Sequence, residues 1–290
     1  MTESSPPPSR TITLYHPAKH FASFSITGQA CARNCAHCGG HYLKGMEPVA
    51  SPEELLEKCL AFHREGGVGA LVSGGCNADG KIEFGPYLRV LDQLARLPDF
   101  RLNVHTGFLD RARAEELARI PFDAVSMDMV GSQRTLEQVY GLPHSPQIYH
   151  EVLEAFASAG RMVSPHICVG LHFGKLLGEK AAIDILASHK ETVHKLIFIV
   201  LIPTKGTGMA TVSSPSTDEM VEIVSYARER LDCPLVLGCM RPRDPALELA
   251  VVEAGVDGLV NPTSSGRKAT IAWAREQGWT LLNEDGCCCF

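Results

Sequence analysis

No run in this 290-residue chain is long and apolar enough to span a bilayer. The N-terminus also lacks the basic-then-apolar order of a secretory signal, so a cytoplasmic protein is expected. Basic residues are in deficit, with 27 Lys and Arg against 33 Asp and Glu and a formal charge of −6, which argues against a nucleic-acid-binding surface. No low-complexity linker divides the chain, and no repeat exceeds a βα unit. Without a secretion signal, the 11 cysteines point to reduced thiols and metal rather than disulfides. What is present otherwise is ordinary: 45% hydrophobic residues, enough for a sizeable core.

Short apolar or β-branched runs alternate with amphipathic segments from residue 20 onward. The strand candidates are Phe21–Ile26, Gly69–Ser73, Arg101–His105, Ala124–Met127, Met162–Val169, Lys195–Ile202, Leu235–Gly238 and Gly258–Val260. Helices are predicted over Pro52–Glu65, Pro86–Arg96, Arg111–Ile120, Leu136–Tyr140 with Ile148–Ala159, Glu179–His189, Thr217–Leu231, Pro245–Glu253 and Gly266–Gln277. Ser51 and Ser216, each followed by acids, have the form of helix N-caps, and Gly160 and Gly255 of helix stops. This alternation predicts an α/β fold, a (β/α)8 TIM-type barrel, with an open doubly wound sheet as the alternative. Residues 1–14 are expected as a lead-in, disordered over its Ser- and Pro-rich start, 15–278 as the barrel domain and 279–290 as a Cys-rich tail.

Cys31, Cys35 and Cys38 fall within eight residues, just after the first predicted strand. Iron–sulfur clusters use cysteine thiolates, usually four, so three at this spacing leave one iron open to an outside ligand. A zinc site completed by His37 or His41 is the competing reading. The predicted strand ends, where barrels carry their working residues, hold Ser73-Gly-Gly-Cys76, Asn103-Val-His105, Ser126-Met-Asp128, Pro165-His-Ile-Cys168 and Leu237-Gly-Cys239-Met-Arg241.

The spacing in its strand-then-loop setting resembles the radical S-adenosylmethionine (SAM) superfamily. The resemblance implies a 4Fe–4S cluster on Cys31, Cys35 and Cys38 whose open iron chelates SAM and whose reduction yields a 5′-deoxyadenosyl radical. The motif order is similar to the biotin synthase branch. It implies cofactor contacts by Gly74 and Gly75, although Cys76 replaces the usual acid, by Ser126 and Asp128 at the ribose, by Pro203 and its loop at adenine, and by His37.

Further strings, including Cys38-Gly-Gly-His-Tyr-Leu-Lys-Gly-Met46 and Leu237-Gly-Cys-Met-Arg-Pro242, resemble the smaller subunit of the two-component lipoyl synthases. That implies insertion of a second sulfur, at C6, into a protein-bound mercaptooctanoyl chain. The implied partners are a second radical SAM protein of the same pathway, a lipoyl-domain or H-protein-type acyl carrier, and a reductant such as ferredoxin or flavodoxin. The alternatives are a biotin synthase-like enzyme for another small molecule and a metal-binding scaffold.

Of the remaining cysteines, Cys59 and Cys233 are expected to be structural. Cys76, Cys239 and the consecutive Cys287, Cys288 and Cys289 are candidate ligands of an auxiliary 4Fe–4S cluster, with Cys168 in reserve. Hydrogen abstraction by a radical needs no general base, and none is assigned. Arg241 and His172 are candidate substrate or supporting contacts, with a structural ion pair as the alternative for Arg241.

Overall fold

In a computed structural model that describes residues 10–290, the strands are β1 (Thr11–Tyr15), β2 (Phe21–Ser25), β3 (Glu47–Pro48), β4 (Gly69–Ser73), β5 (Arg101–His105), β6 (Ala124–Asp128), β7 (Ser164–Val169), β8 (Leu196–Val200), β9 (Leu235–Leu237), β10 (Gly258–Val260) and β11 (Thr280–Glu284). All pair in parallel, in the order β11-β1-β10-β9-β8-β7-β6-β5-β4-β2-β3. Among the described residues no pairing joins β11 to β3. The α/β class and the successive βα order stand as expected, in the form of an open half-barrel.

The helices are α1 (Pro52–Arg64), α2 (Leu88–Leu94), α3 (Arg111–Ala118), α4 (Gln133–Thr135), α5 (Ile148–Ser158), α6 (Glu179–Ala187), α7 (Thr217–Arg228), α8 (Pro245–Glu253) and α9 (Ser264–Glu276). Their starts follow local chemistry. Ser51 Oγ accepts from Glu54 N at 3.2 Å, and Ser216 forms a reciprocal capping box with Glu219. Gly160 and Gly255 take φ of 64° and 118° where α5 and α8 stop, conformations that cost glycine little.

Strand side chains alternate between two environments. Phe24, Val72, Leu102, Val104, Met127, Ile167 and Phe198 pack beneath the helices in the main core. Tyr15, Ala124, Ile197, Val236 and Val260 face the lumen, where they meet Cys288, Cys289 and Phe290.

Thr11–Leu14, assigned to the lead-in, instead form most of β1, while 1–9 lie outside the described residues. The tail also begins as sheet: residues 280–284 pair with β1 over its whole length. Two five-residue strands that depend on each other across the whole chain leave little periodic signal. Trp279 and Leu281 pack against the core, but Leu282 is 46% exposed and turns outward.

Candidate active site

The loop after β2 carries Cys31, Cys35 and Cys38 and is fastened on several sides. Cys76 N donates to Cys31 Sγ at 3.3 Å, and Ala32 N donates to Cys76 O at 2.7 Å. Ala36 N donates to Val139 O at 2.8 Å, and the Arg33 guanidinium donates to Ala78 O and Tyr140 O. Val139 and Tyr140 belong to a single π-helical turn, Leu136–Tyr140, after α4. Such turns are frequent at functional sites. Gly75 has no alternative: a Cβ there would lie 1.9 Å from Ala30 O and 2.7 Å from Cys31 Cβ.

The three thiols fit an iron–sulfur cluster. Among the described residues, only Cys287, Cys288 and Cys289 bring all their ligand atoms within 4.8 Å of one another, so the loop sulfurs are spread. Spread sulfurs suit thiolates that each serve a different iron. Burial, then the Cys38 and Cys31 thiolates, push Cys35 up to about 12. A bound metal must therefore draw off the protons, which is the ordinary coupling of metal binding to thiol ionisation.

Above the lumen, β5, β6 and β7 present a row of ionisable groups. Register places His105 beside Ser126 and Asp128 beside His166. His105 Nε2 lies 3.5 Å from Asp128 Oδ1, and the two histidine rings are 5.5 Å apart. Burial works to raise the Asp128 carboxyl, but the His105 hydrogen bond and the nearby histidines hold it at about 2. Asp128 in turn raises His105 against the effect of burial. His166 is lowered to about 4 by burial and by the His105 cation. The row thus sets a carboxyl held low, a ring raised by it and a ring held low side by side. His37 ring Nδ1 is buried without a partner, and the ring meets Tyr140 edge-on at 5.2 Å.

The tail descends into the lumen below this row. Asn103 Nδ2 donates to Cys287 Sγ at 3.4 Å, Ser126 Oγ lies 3.3 Å from Cys289 Sγ, and Ser164 Oγ donates to Cys289 O at 3.0 Å. At the bottom, Phe290 packs edge-on against Phe21 at 5.5 Å and under the Arg101 guanidinium, while Lys195 donates to its main-chain oxygen. Cys287 is held well below the usual thiol range by hydrogen bonds from Cys288 and Cys289, and these two are pushed up in consequence.

The structure divides the expected residues into two neighbourhoods. His37, Gly74, Gly75 and Cys76 gather at the cysteine loop. The loop after β8 that holds Pro203 reaches it too: Tyr42 Oη is 3.2 Å from Thr204 Oγ1, and a Cβ on Gly208 would touch Ala36. Ser126 turns down to Asn103 and Cys289, whereas Asp128 stays above with His105. Cys239, after β9, is exposed, and among charged groups Cys287 acts on it first. Cys168 lies one pleat above His166, away from the tail. Arg241 is a structural ion pair: it and Glu248 are fully buried, and it also donates to Gly238 O at 2.6 Å and Val260 O at 2.8 Å. His172 Nδ1 is 3.2 Å from Thr135 Oγ1. Sequence reasoning did not assign His105, His166, Asn103, Arg33, Lys195 or Phe290. The available signal was polar residues at every second position of β5, β6 and β7.

A fold of parallel βα units with a three-cysteine loop after an early strand defines a class. The radical SAM superfamily model matches residues 25–174, just over half of the sequence, and the chain belongs to that superfamily. No curated protein matches it in sequence. Among solved structures it is similar to HydG, a maturase of the FeFe-hydrogenase, with a TM-score of 0.65 and 15% identity over 94% of this chain. The chain spans 64% of that protein's length. Methylornithine synthase (PylB) aligns with a TM-score of 0.61 and 10% identity over 93% of this chain and 83% of its own. SuiB from Streptococcus suis, bound to its precursor peptide SuiA, aligns at 0.55 and 10% over 95% and 57%. These likenesses concern the fold. No helix of the described residues is long and apolar enough to cross a membrane.

Proposed function

We propose that this radical SAM enzyme inserts sulfur during lipoyl cofactor formation, adding the second sulfur, at C6, to a protein-bound mercaptooctanoyl chain. The observation that carries the reading is the second set of thiols, Cys287, Cys288 and Cys289, seated in the lumen beneath the strand ends with Cys239 beside it. When bound, a reduced cluster with SAM would supply the hydrogen-abstracting radical, and an auxiliary cluster the sulfide. Cys31, Cys35 and Cys38 would hold the first. The tail cysteines and Cys239 would hold the second; Cys76 lies with the first loop. Asp128 accepts hydrogen bonds and suits ribose hydroxyls. His37, Gly74, Gly75 and the Pro203 loop surround the space left for the rest of SAM. Phe290 and the Lys195 bond to its main-chain oxygen occupy the lower lumen, so the acyl chain would enter from the strand-end side.

The partners in this reading are a second radical SAM protein, a lipoyl-domain or H-protein-type carrier, and ferredoxin or flavodoxin. The test is anaerobic incubation of the iron-loaded protein with SAM, reductant and a mercaptooctanoyl peptide, read by mass spectrometry. The peptide should gain one sulfur, with one 5′-deoxyadenosine formed per insertion. Deoxyadenosine without any sulfur gain on this peptide or its octanoyl form would leave the superfamily chemistry intact and reject the substrate.

A further inference from the structure

We infer that Cys76 is a fourth, displaceable thiolate of the centre held by Cys31, Cys35 and Cys38, filling the open coordination position until SAM takes it. The inference rests on superfamily membership and not on the sulfur-insertion reading. Its basis is the lacing of residue 76 into the cysteine loop. The Cys76 N–H is 3.3 Å from Cys31 Sγ, and its carbonyl accepts from Ala32 N at 2.7 Å, so the main chain is fixed from both sides. The contact needs Gly75, whose Cβ position is occupied by Ala30 O and Cys31 Cβ. Gly75 N is itself fixed by Thr27 Oγ1 at 2.6 Å. The thiol is half-buried and leans on Gly107, where even an added Cβ would be 3.2 Å from Sγ.

The chemistry favours a ligand over a SAM contact. A thiol is a weak hydrogen-bond acceptor and a poor replacement for a carboxylate at an ammonium group. A thiolate is a soft ligand suited to iron–sulfur centres. With Cys76 the loop offers four thiolates, the usual complement of a closed cluster. The step is a ligand exchange without change of oxidation state. Cys76 would leave as a thiol, taking up the proton that the SAM ammonium gives up, so the exchange would need neither oxidant nor reductant.

The test compares the iron-loaded full chain with Cys76→Ala and Cys76→Ser, by Mössbauer spectroscopy without SAM and by SAM-binding isotherms. In the wild type one of the four irons of the Cys31–Cys35–Cys38 cluster, told apart from the tail cluster by comparison with the 287–290 deletion, should change its doublet only when SAM is added. In Cys76→Ala that iron should be distinct before SAM, and SAM should bind roughly fivefold more tightly because its competitor is gone. Equal SAM-free spectra for wild type and variant would overturn the assignment. If the variants fail to hold iron, the wild-type spectrum decides alone: an iron already distinct without SAM and then shifted by SAM overturns it.

Discussion

Cys31, Cys35 and Cys38 sit on a loop fastened by main-chain hydrogen bonds with their sulfurs spread, whereas Cys287, Cys288 and Cys289 are consecutive and convergent within 4.8 Å, the last two buried. The electrostatics differ in the same sense. Burial and neighbouring thiolates push Cys35 up to about 12, while thiol hydrogen bonds pull Cys287 well below the usual range. Cys35 thus gives up its proton only to a bound metal, whereas Cys287 ionises more readily than an ordinary thiol. In the proposed reading the difference makes the two sets separable by mutation. The sharpest break is Cys35→Ala, which should reduce 5′-deoxyadenosine formation to the level without enzyme. Cys288→Ala should leave it measurable. Undiminished SAM cleavage in Cys35→Ala would overturn the assignment of the loop.

The second test removes the other set. Deleting residues 287–290 should lose roughly half the iron, as expected for one of two four-iron clusters. Sulfur insertion should disappear while SAM cleavage persists. A truncated chain with its full iron content would show that the tail cysteines are not ligands, and Cys168 would then be the next candidate.

The two sets were not equally legible in the sequence. The loop was, because its information is local: three cysteines at short spacing behind a strand. The eight main strands and their helices were legible for the same reason, through periodicity and caps such as Ser51 and Ser216. The seat of the tail was not. Asn103, Ser126, Ser164 and Lys195 come from four separate parts of the sheet, and their bonds to the tail span 95 to 184 residues of sequence. Cys76 and Cys239 both end a βα unit near the mouth, so sequence placed them in one set. Only the fold shows that Gly75 lets Cys76 close on Cys31 and that the Arg241–Glu248 pair pins the turn carrying Cys239 on the tail side.

Between the two sets stands the Asp128–His105–His166 row, and in the proposed reading Asp128 serves the upper one. Asp128→Asn keeps the shape and removes the charge. A hydrogen bond to a charged group is worth about 1.5–3 kcal/mol, so SAM should bind roughly ten- to hundredfold more weakly. The Asp128 side chain is 35% exposed, which favours the lower end of that range. Iron content should not change. Unaltered SAM affinity in calorimetry would confine Asp128 to its partnership with His105.

The smallest effect expected is a pH dependence that originates in the row itself. His166 is lowered to about 4 from 6.5, first by burial and then by the His105 cation. Between those two values the unfolded chain binds a proton that the native chain refuses, so stability falls as pH drops from 6.5 toward 4 and levels off below. A shift of that size is worth about 3 kcal/mol at most, and solvent contact at the mouth brings the expected loss to about 1 kcal/mol. Urea midpoints of the metal-free protein between pH 4.5 and 7.5 measure it, and metal binding does not enter. His166→Gln cannot take up the proton, so its acid limb should be shallower than the wild type's. Parallel limbs for the two proteins would show that His166 is protonated as readily in the fold as outside it, and the row would then carry a second cation next to Cys287.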